Sequence, residues 1–518
     1  MDINSQKQMI MVLDFGGQYN QLIARRVRDL GVYAEVFSHT TNLDEIKKIN
    51  PSGIIFTGGP NSVNDPLSPH VDKEIFNLGI PILGICYGAQ LIAYTLGGSV
   101  VTDNKSEYGK TDTKILDSSG LLKNVNNSTV WMSHTDRIDK LPSGFIVTQE
   151  SLQCPVCAME NREKRIYAVQ YHPEVRHTVD GDKVLYNFIY DVCKCTNSWK
   201  ITDFLEKSIS SLKEKIGEKK VLCALSGGVD SSVVAALLSR AASKNLICVF
   251  VNHGLLRKNE DLEVREVFEN NKTFPMQFVY VDAKERFLNA LKGVTEPEQK
   301  RKIIGNEFIK VFEEEAKKIG KVDFLAQGTI YPDVIESGLK GSATIKSHHN
   351  VGGLPSVVDF EEIIEPLRLL FKDEVRKLGL ELGLSEKLVY RQPFPGPGLG
   401  IRIISDITEE KIKMVQDADF ILREEIDNYA KEGMKKPSQY YVALTNMKTV
   451  GVMGDFRTYN YACVIRSVDT EDFMTANATN LPYELMQKVM TRIVNEVKGI
   501  NRVFYDLTSK PPGTVEME

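Results

Sequence analysis

Short uninterrupted apolar runs, each closed by a glycine-bearing turn and followed by an amphipathic helical pattern, recur in two successive series along this chain. A strand buried on both faces reads as a continuous apolar run, and strands that alternate with helices pair in parallel. The first series opens with MIMVLDF from Met9, a GGQ turn, and QLIARRVRDLG, which closes on Gly31 as a helix C-terminal signal. Further strands are expected at Gly53–Thr57 (GIIFT) and Ile80–Ile85 (IPILGI). The pattern ends near Ile166–His172 and a helix over Val184–Val192, and the polar segment CTNSW marks a boundary at residue 197.

The second series begins with a strand at Val221–Leu225, a helix from Ser231 and a strand at Leu246–Val251, a unit whose crossover is expected to be right-handed. The cluster RQPFPGPGLG at 391–400 continues neither a helix nor a central strand and sets the second boundary. Beyond it, helices are expected over Thr408–Tyr429 and Tyr483–Val497, with strands at Tyr440–Leu444, Tyr461–Val468 and Arg502–Leu507. The expected class is therefore α/β: two successive parallel-sheet α/β domains, 1–197 and 198–393, then a small α+β C-terminal domain, 394–518.

Length agrees, since 518 residues at roughly 100 to 200 per domain make about three domains. With 64 Lys+Arg against 69 Asp+Glu the net charge is −5, so no global positive field holds nucleic acid or an anionic membrane, and phosphate binding must be local. Eight cysteines are too few for a disulfide scaffold. Residues Met1–Gln8 form no apolar leader and no run of 18 apolar residues occurs, so a cytoplasmic protein is expected.

IPILGICYGAQLIA places Cys86 in a G-x-C-x-G pattern between an apolar strand and an apolar helix, the thiol counterpart of a nucleophile elbow. Gly84 and Gly88 let neighbouring backbone pass close, and the sulfur lands at the positive end of a helix. In VQYHPEV at 169–175, His172 and Glu174 sit two residues apart after a strand and so face the same side. Glu174 can then hold the imidazole while its other nitrogen takes the Cys86 proton, a Cys-His-Glu triad by role. The turn TGGP at 57–60 offers the Gly59 N–H, and the elbow offers the Tyr87 N–H, as donors to an oxyanion. Taken singly, Cys86 reads as a small buried thiol and Glu174 as a solvated acid; together they read as catalytic. With DFGGQ at 14–18 and SHTD at 133–136, these residues resemble the class I glutamine amidotransferases, which hydrolyse the side-chain amide of glutamine.

The stretch SGGVDSS, residues Ser226, Gly227, Gly228, Val229, Asp230, Ser231 and Ser232, lies between the strand VLCAL and a helix. Successive N–H groups in such a turn, backed by the helix dipole, make an anion site. No lysine follows the glycines, so the turn is not a Walker A loop, and NKSEYGKT at 104–111 lacks the first glycine of that pattern. Asp230 can hold Mg2+ against the phosphates. The loop is similar to that of the ATP pyrophosphatases, which cleave ATP between the α and β phosphates and adenylate a carbonyl oxygen.

QGTIYPDVIES at 327–337, IKSHHNVGGLP at 345–355, RQPFPGPGLG, GDFRTY at 454–459 and the tail SKPPGTVEME at 509–518 together resemble the glutamine-hydrolysing GMP synthetase family, from about residue 9 to the end. The resemblance implies that XMP is adenylated by ATP with Mg2+ and that ammonia from glutamine displaces AMP. It also implies a homodimer, and lid and substrate-binding roles for Lys346, Asp333, Arg457, Lys510 and Glu516. Arg457 and Lys510 suit an anionic nucleotide phosphate. Asn252 stands where the family is expected to carry aspartate, which argues against a charged ligand there. CPVC at 154–157 and CKC at 193–195 are read as reduced cysteines and not as a zinc pair. A tRNA-thiolating enzyme would show a basic RNA face, an NAD synthetase-like enzyme lacks this third domain and tail, and a catalytically silent scaffold would be expected to lose the triad.

Overall fold

The computed structural model describes residues 8–269, 271–338, 360–470 and 475–518, with side chains described except at 103–105, 336–338 and 453. Lys346 lies outside the described residues. Among the described residues the chain forms two compact units, the first running to Phe204 with 332–338, the second covering Leu205–Tyr331 and 360–518.

The first unit is built on one nine-stranded sheet. Its strands are β1 (Ile10–Asp14), β2 (Ala34–Ser38), β3 (Gly53–Phe56), β4 (Ile82–Ile85), β5 (Ser99–Ile115), β6 (Thr129–Lys140), β7 (Ile146–Ser151), β8 (Ala158–Asn161) and β9 (Ile166–Val169). They lie in the order β2-β1-β3-β4-β9-β8-β7-β5-β6. The five from β2 to β9 pair in parallel, and their apolar runs, such as IMVLD and GIIF, are buried as expected for strands covered on both faces. The remaining four extend the sheet antiparallel. That half departs from the expected largely parallel sheet because β6, TVWMSHTDRIDK, alternates buried and solvated positions and so carries no apolar run.

In the second unit β10 (Val221–Leu225), β11 (Leu246–Asn252), β12 (Gln277–Asp282), β13 (Phe324–Ala326) and β14 (Glu362–Ile364) form an all-parallel sheet in the order β12-β11-β10-β13-β14. The next sheet pairs β15 (Gln439–Met453) with β16 (Phe456–Asp469) antiparallel, and β16 with β17 (Asn477–Ala478) and, in parallel, with β18 (Ile500–Asp506). Thr408 caps the long helix Glu409–Lys431 by accepting from the Lys411 N–H at 3.2 Å. One continuous apolar core joins Leu222 and Ile247 of the parallel sheet to Leu399 and Ile403 of the Pro/Gly segment and on to Val415, Tyr440 and Leu485. The parallel sheet and the C-terminal sheet therefore share a core within this unit. No described helix is long and apolar enough to cross a membrane.

Candidate active sites

In the first unit, Cys86 is the link between β4 and the helix Tyr87–Thr95. Its φ of 53° and ψ of −107° place a non-glycine residue in a sparsely populated backbone region, held there by its N–H donating to the Val169 carbonyl at 2.9 Å. A Cβ on Gly84 would sit 2.6 Å from the Gly88 carbonyl oxygen, and one on Gly88 would sit 2.6 Å from Phe56 Cβ. Only glycine permits the helix to leave the strand this tightly, which is why the sequence motif spaces its glycines around the cysteine.

His172 follows β9, and its Nδ1 lies 2.7 Å from Glu174 Oε1. Both groups are buried, Glu174 completely. Although burial opposes the charged form, the Glu174 and Cys86 charges hold the His172 pKa well above its ordinary value. The backbone is fixed as well: the His172 N–H donates to the Trp131 carbonyl at 3.1 Å, Thr178 Oγ1 donates to the His172 carbonyl at 2.6 Å, and Arg26 Nε donates to the Glu174 carbonyl at 2.9 Å. A Cβ on Gly58 would lie 3.1 Å from His172 Cε1 and 3.7 Å from Cys86 Cβ, so the TGGP turn abuts the triad. Gly59 is the next residue of that turn, and Tyr87 is the first residue of the helix, where N–H groups lack intrahelical partners. The Cys86 sulfur reaches the Ser133 carbonyl at 3.7 Å and receives Gln170 Nε2 at 3.9 Å, two neighbours that spacing alone did not mark.

In the second unit, β10 ends in the Gly-rich turn. Gly227 has φ 75°, Gly228 is the N-cap, and the helix runs over Val229–Ala242. Ser231 Oγ donates to the Gly228 carbonyl at 3.1 Å and lies 3.0 Å from Ser226 Oγ, while the Gly228 N–H donates to Ser226 Oγ at 3.3 Å. Ser232 Oγ is buried without a hydrogen-bond partner. Asp230 is ion-paired through both oxygens to Lys372 Nζ, at 2.8 and 2.7 Å. Arg391 Nη1 donates to the Gly227 carbonyl at 2.6 Å, and burial lowers its guanidinium pKa to about 9. Lys372 and Arg391 thus bring two cations to the turn from 142 and 164 residues further along the chain. Asn252 is buried and donates to Asp261 Oδ2 and to the Tyr280 hydroxyl, each at 2.9 Å.

The remaining expected residues are scattered. Asp333 sits in the first turn of the helix Tyr331–Gly338. Arg457 is exposed at the start of β16, opposite Val452, whereas Lys510 pairs its backbone with Ala476 near the far end of that strand. From Arg457 to Val468, beside β17, is about 36 Å at roughly 3.3 Å per residue, so the fold does not bring the two cations to one phosphate within a chain. Glu516 is already engaged: it accepts both Arg402 Nε at 3.0 Å and Nη2 at 2.8 Å, and Gln439 Nε2 at 2.6 Å. Its place in the fold is a clamp on the tail.

Three family models match the chain: Glutamine amidotransferase class-I over residues 11–192, PP-loop domain over 201–296 and GMP synthase C terminal domain over 425–517. The chain is 63% identical over 513 residues to "GMP synthase [glutamine-hydrolyzing]" of Clostridium botulinum (strain Alaska E43 / Type E3), covering 99% of this chain and 100% of that one. It is 59% identical over 522 residues to the protein of the same name from Agathobacter rectalis, again covering 99% and 100%. The chain belongs to the glutamine-hydrolysing GMP synthase family. The class I amidotransferase match contains Cys86, His172 and Glu174, and the PP-loop match contains the turn from Ser226 to Ser232.

Proposed function

We propose that this chain makes GMP from XMP, ATP and glutamine, releasing AMP, pyrophosphate and glutamate. The reading rests above all on one observation: a buried cysteine on an elbow, beside a histidine that is held by a buried carboxylate, stands in the same chain as a PP-loop. The Cys86 thiolate attacks the side-chain amide carbon of glutamine, and the turn at Gly59 with the Tyr87 N–H stabilises the oxyanion. His172 gives its proton to the departing nitrogen, leaving a thioester and ammonia, and then takes a proton from the water that releases glutamate. Glu174 keeps Nδ1 protonated, so that Nε2 faces the sulfur.

At the second site the N–H groups of the Gly-rich turn and the Ser226, Ser231 and Ser232 hydroxyls cradle the ATP phosphates. The partnerless Ser232 hydroxyl fits that role, because a buried donor calls for an acceptor. Mg2+ suits a site with one carboxylate and several phosphate oxygens, and Asp230 would hold it, with Lys372 turning from Asp230 to the phosphates. The ion would neutralise charge on the α and β phosphates as the XMP oxygen attacks; ammonia then displaces AMP from the adenylated carbon. Lys346 and Asp333 are assigned to the lid and the adenylated centre, and Arg457, Lys510 and Glu516 to the XMP side, Glu516 through its hold on the tail.

A homodimer is supported by the apolar residues Val450, Val452, Phe456 and Tyr459, all more than half exposed on the β15–β16 hairpin. Cysteines that are all unpaired fit a reducing cytoplasm. The domain division at 197 and 393 follows the same functional partition. Incubation with MgATP, XMP and glutamine should give GMP, AMP, pyrophosphate and glutamate in equal amounts. Pyrophosphate or AMP formed without GMP would reject the assigned acceptor.

A further inference from the structure

The CPVC segment has partners that no spacing argument supplies. The Ser151 N–H donates to the Cys154 carbonyl at 2.8 Å, the Cys154 N–H donates to Ser151 Oγ at 2.9 Å, and the Cys157 N–H donates to the Gln149 carbonyl at 2.9 Å. The turn so closed delivers both sulfurs to the interior, where neither cysteine is exposed. Glu107 on β5 and His134 on β6 are directly paired across the strands and point to the same place. An irregularity in the ladder just before Glu107 resets its facing, and the carboxylate is buried in consequence. One ligand atom from each of Glu107, His134 and Cys154 lies within 4.8 Å of the other two, and Cys157, in C-x-x-C spacing with Cys154, holds its sulfur 3.4 Å from the Cys154 carbonyl.

The protons at this cluster are constrained by their acceptors. His134 Nδ1 lies 3.0 Å from the Asp136 carbonyl, which can only accept, so Nδ1 carries a proton. Nε2 then faces Glu107 Oε2 at 3.2 Å. Glu107 Oε1 accepts from Ser151 Oγ at 2.8 Å, which leaves Oε2 turned to the imidazole. Nε2 and Oε2 thus converge as two atoms able to ligate one cation. A divalent cation suits the place where they meet, because two thiols stand beside it, their sulfurs donating to the Val156 and Cys154 carbonyls, each at 3.4 Å.

We propose that Glu107, His134, Cys154 and Cys157 form a closed, four-ligand site for a zinc-type divalent cation, which staples β5, β6 and the turn after β7. Donors around tetrahedral zinc lie about 3.3 to 3.8 Å apart, so the 3.2 Å His134–Glu107 approach fits and the Cys154 sulfur, within 4.8 Å of both, needs to move by about 1 Å. Binding replaces the two thiol protons and any proton held between His134 and Glu107, which pass to solvent. The donor set of one imidazole, one carboxylate and two thiolates selects zinc over magnesium or calcium. All four positions are filled by protein and all four residues are buried, so the ion is structural and opens no position to substrate. It would also act on the nearby chemistry by position: Ser133, whose carbonyl accepts from the Cys86 sulfur, is the neighbour of His134.

The test uses the full chain carrying Cys86→Ala, so that the catalytic thiol and His172 offer no competing zinc site. Reduced protein stripped by chelator is titrated with zinc against a chromophoric chelator, and separately with cobalt(II). One tightly held equivalent is expected, with a thiolate-to-cobalt charge-transfer band and visible bands of tetrahedral intensity. Zinc should raise Tm, since a ligand of the folded state adds RT ln(1 + [L]/Kd) to its stability. Cys154→Ser should lose the equivalent, the charge-transfer intensity and the Tm shift, while Cys193→Ser and Cys195→Ser keep all three. Cys157→Ala provides the same comparison if Cys154→Ser fails to fold. Absence of a retained equivalent, a cobalt spectrum without thiolate character, or binding indifferent to Cys154 and Cys157 would overturn the assignment.

Discussion

Replacing Glu174 with glutamine preserves the shape of the triad and removes its charge. The carboxylate touches His172 Nδ1 at 2.7 Å inside a buried pocket, and its other oxygen is buried without a partner, so the amide can enter without a void. A unit charge about 4 Å from the centre of the imidazolium contributes about 4 kcal/mol at an effective dielectric constant of about 20. At 1.4 kcal/mol per decade that is nearly a thousandfold in the population of the thiolate–imidazolium pair, and reorientation of the amide returns part of it. Glutamine-dependent GMP formation should fall by about 100- to 1,000-fold, with ammonium-supported formation unchanged. The sign with pH follows from the same charge. The folded-state pKa of His172 is raised, so its stabilising contribution is complete below the unfolded value of about 6.5 and is lost as pH rises through the raised value. In Glu174→Gln the alkaline limb of the glutaminase profile should therefore move to lower pH. Stopped assays of glutamate release across pH, alongside ammonium-supported GMP formation, measure both. A drop of less than about threefold with an unmoved alkaline limb would refute the argument that Glu174 acts through its charge.

Three further outcomes follow from the second unit. Asp230→Asn and Lys372→Met should each abolish pyrophosphate release with either nitrogen source while sparing glutamine hydrolysis; normal release from Lys372→Met would make that lysine only a counter-ion. Lys510→Met should raise the XMP concentration needed for half-saturation at least tenfold with ATP saturation kept, and unchanged XMP saturation would place the phosphate elsewhere. Arg402→Met leaves Glu516 without its buried guanidinium, Asp419 keeping Arg423, and should cost about 3 to 5 kcal/mol in denaturant unfolding, whereas a cost below about 1 kcal/mol would show the tail clamp to be dispensable.

The sites were legible where chemistry is written into short spacing. Cys86 could be found because a tight strand-to-helix turn needs glycine on both sides, and His172 with Glu174 because two residues of extended chain share a face. The Gly-rich turn was legible for the same reason, and the parallel strands because burial on both faces demands an apolar run. Lys372 and Arg391 were not, since nothing local distinguishes a lysine opening the helix Lys372–Glu381 from a solvated one. Only folding brings them beside Asp230 and Gly227. β5 and β6 were missed because their polar residues, Glu107, His134 and Asp136 among them, are buried by partnering one another and not by apolar character. Arg457 and Lys510 look alike in sequence as phosphate-binding cations, yet the length of β16 separates them.

The most direct test of two chemistries on one chain is Cys86→Ala, assayed for GMP with glutamine and, separately, with ammonium salt. In the proposed function Cys86 is the nucleophile for amide hydrolysis, and the Gly-rich turn with Asp230 belongs to a different compact unit. The account predicts no GMP from glutamine and wild-type rates from ammonium. Retained glutamine-dependent synthesis, or loss of both activities in a folded variant, would contradict it.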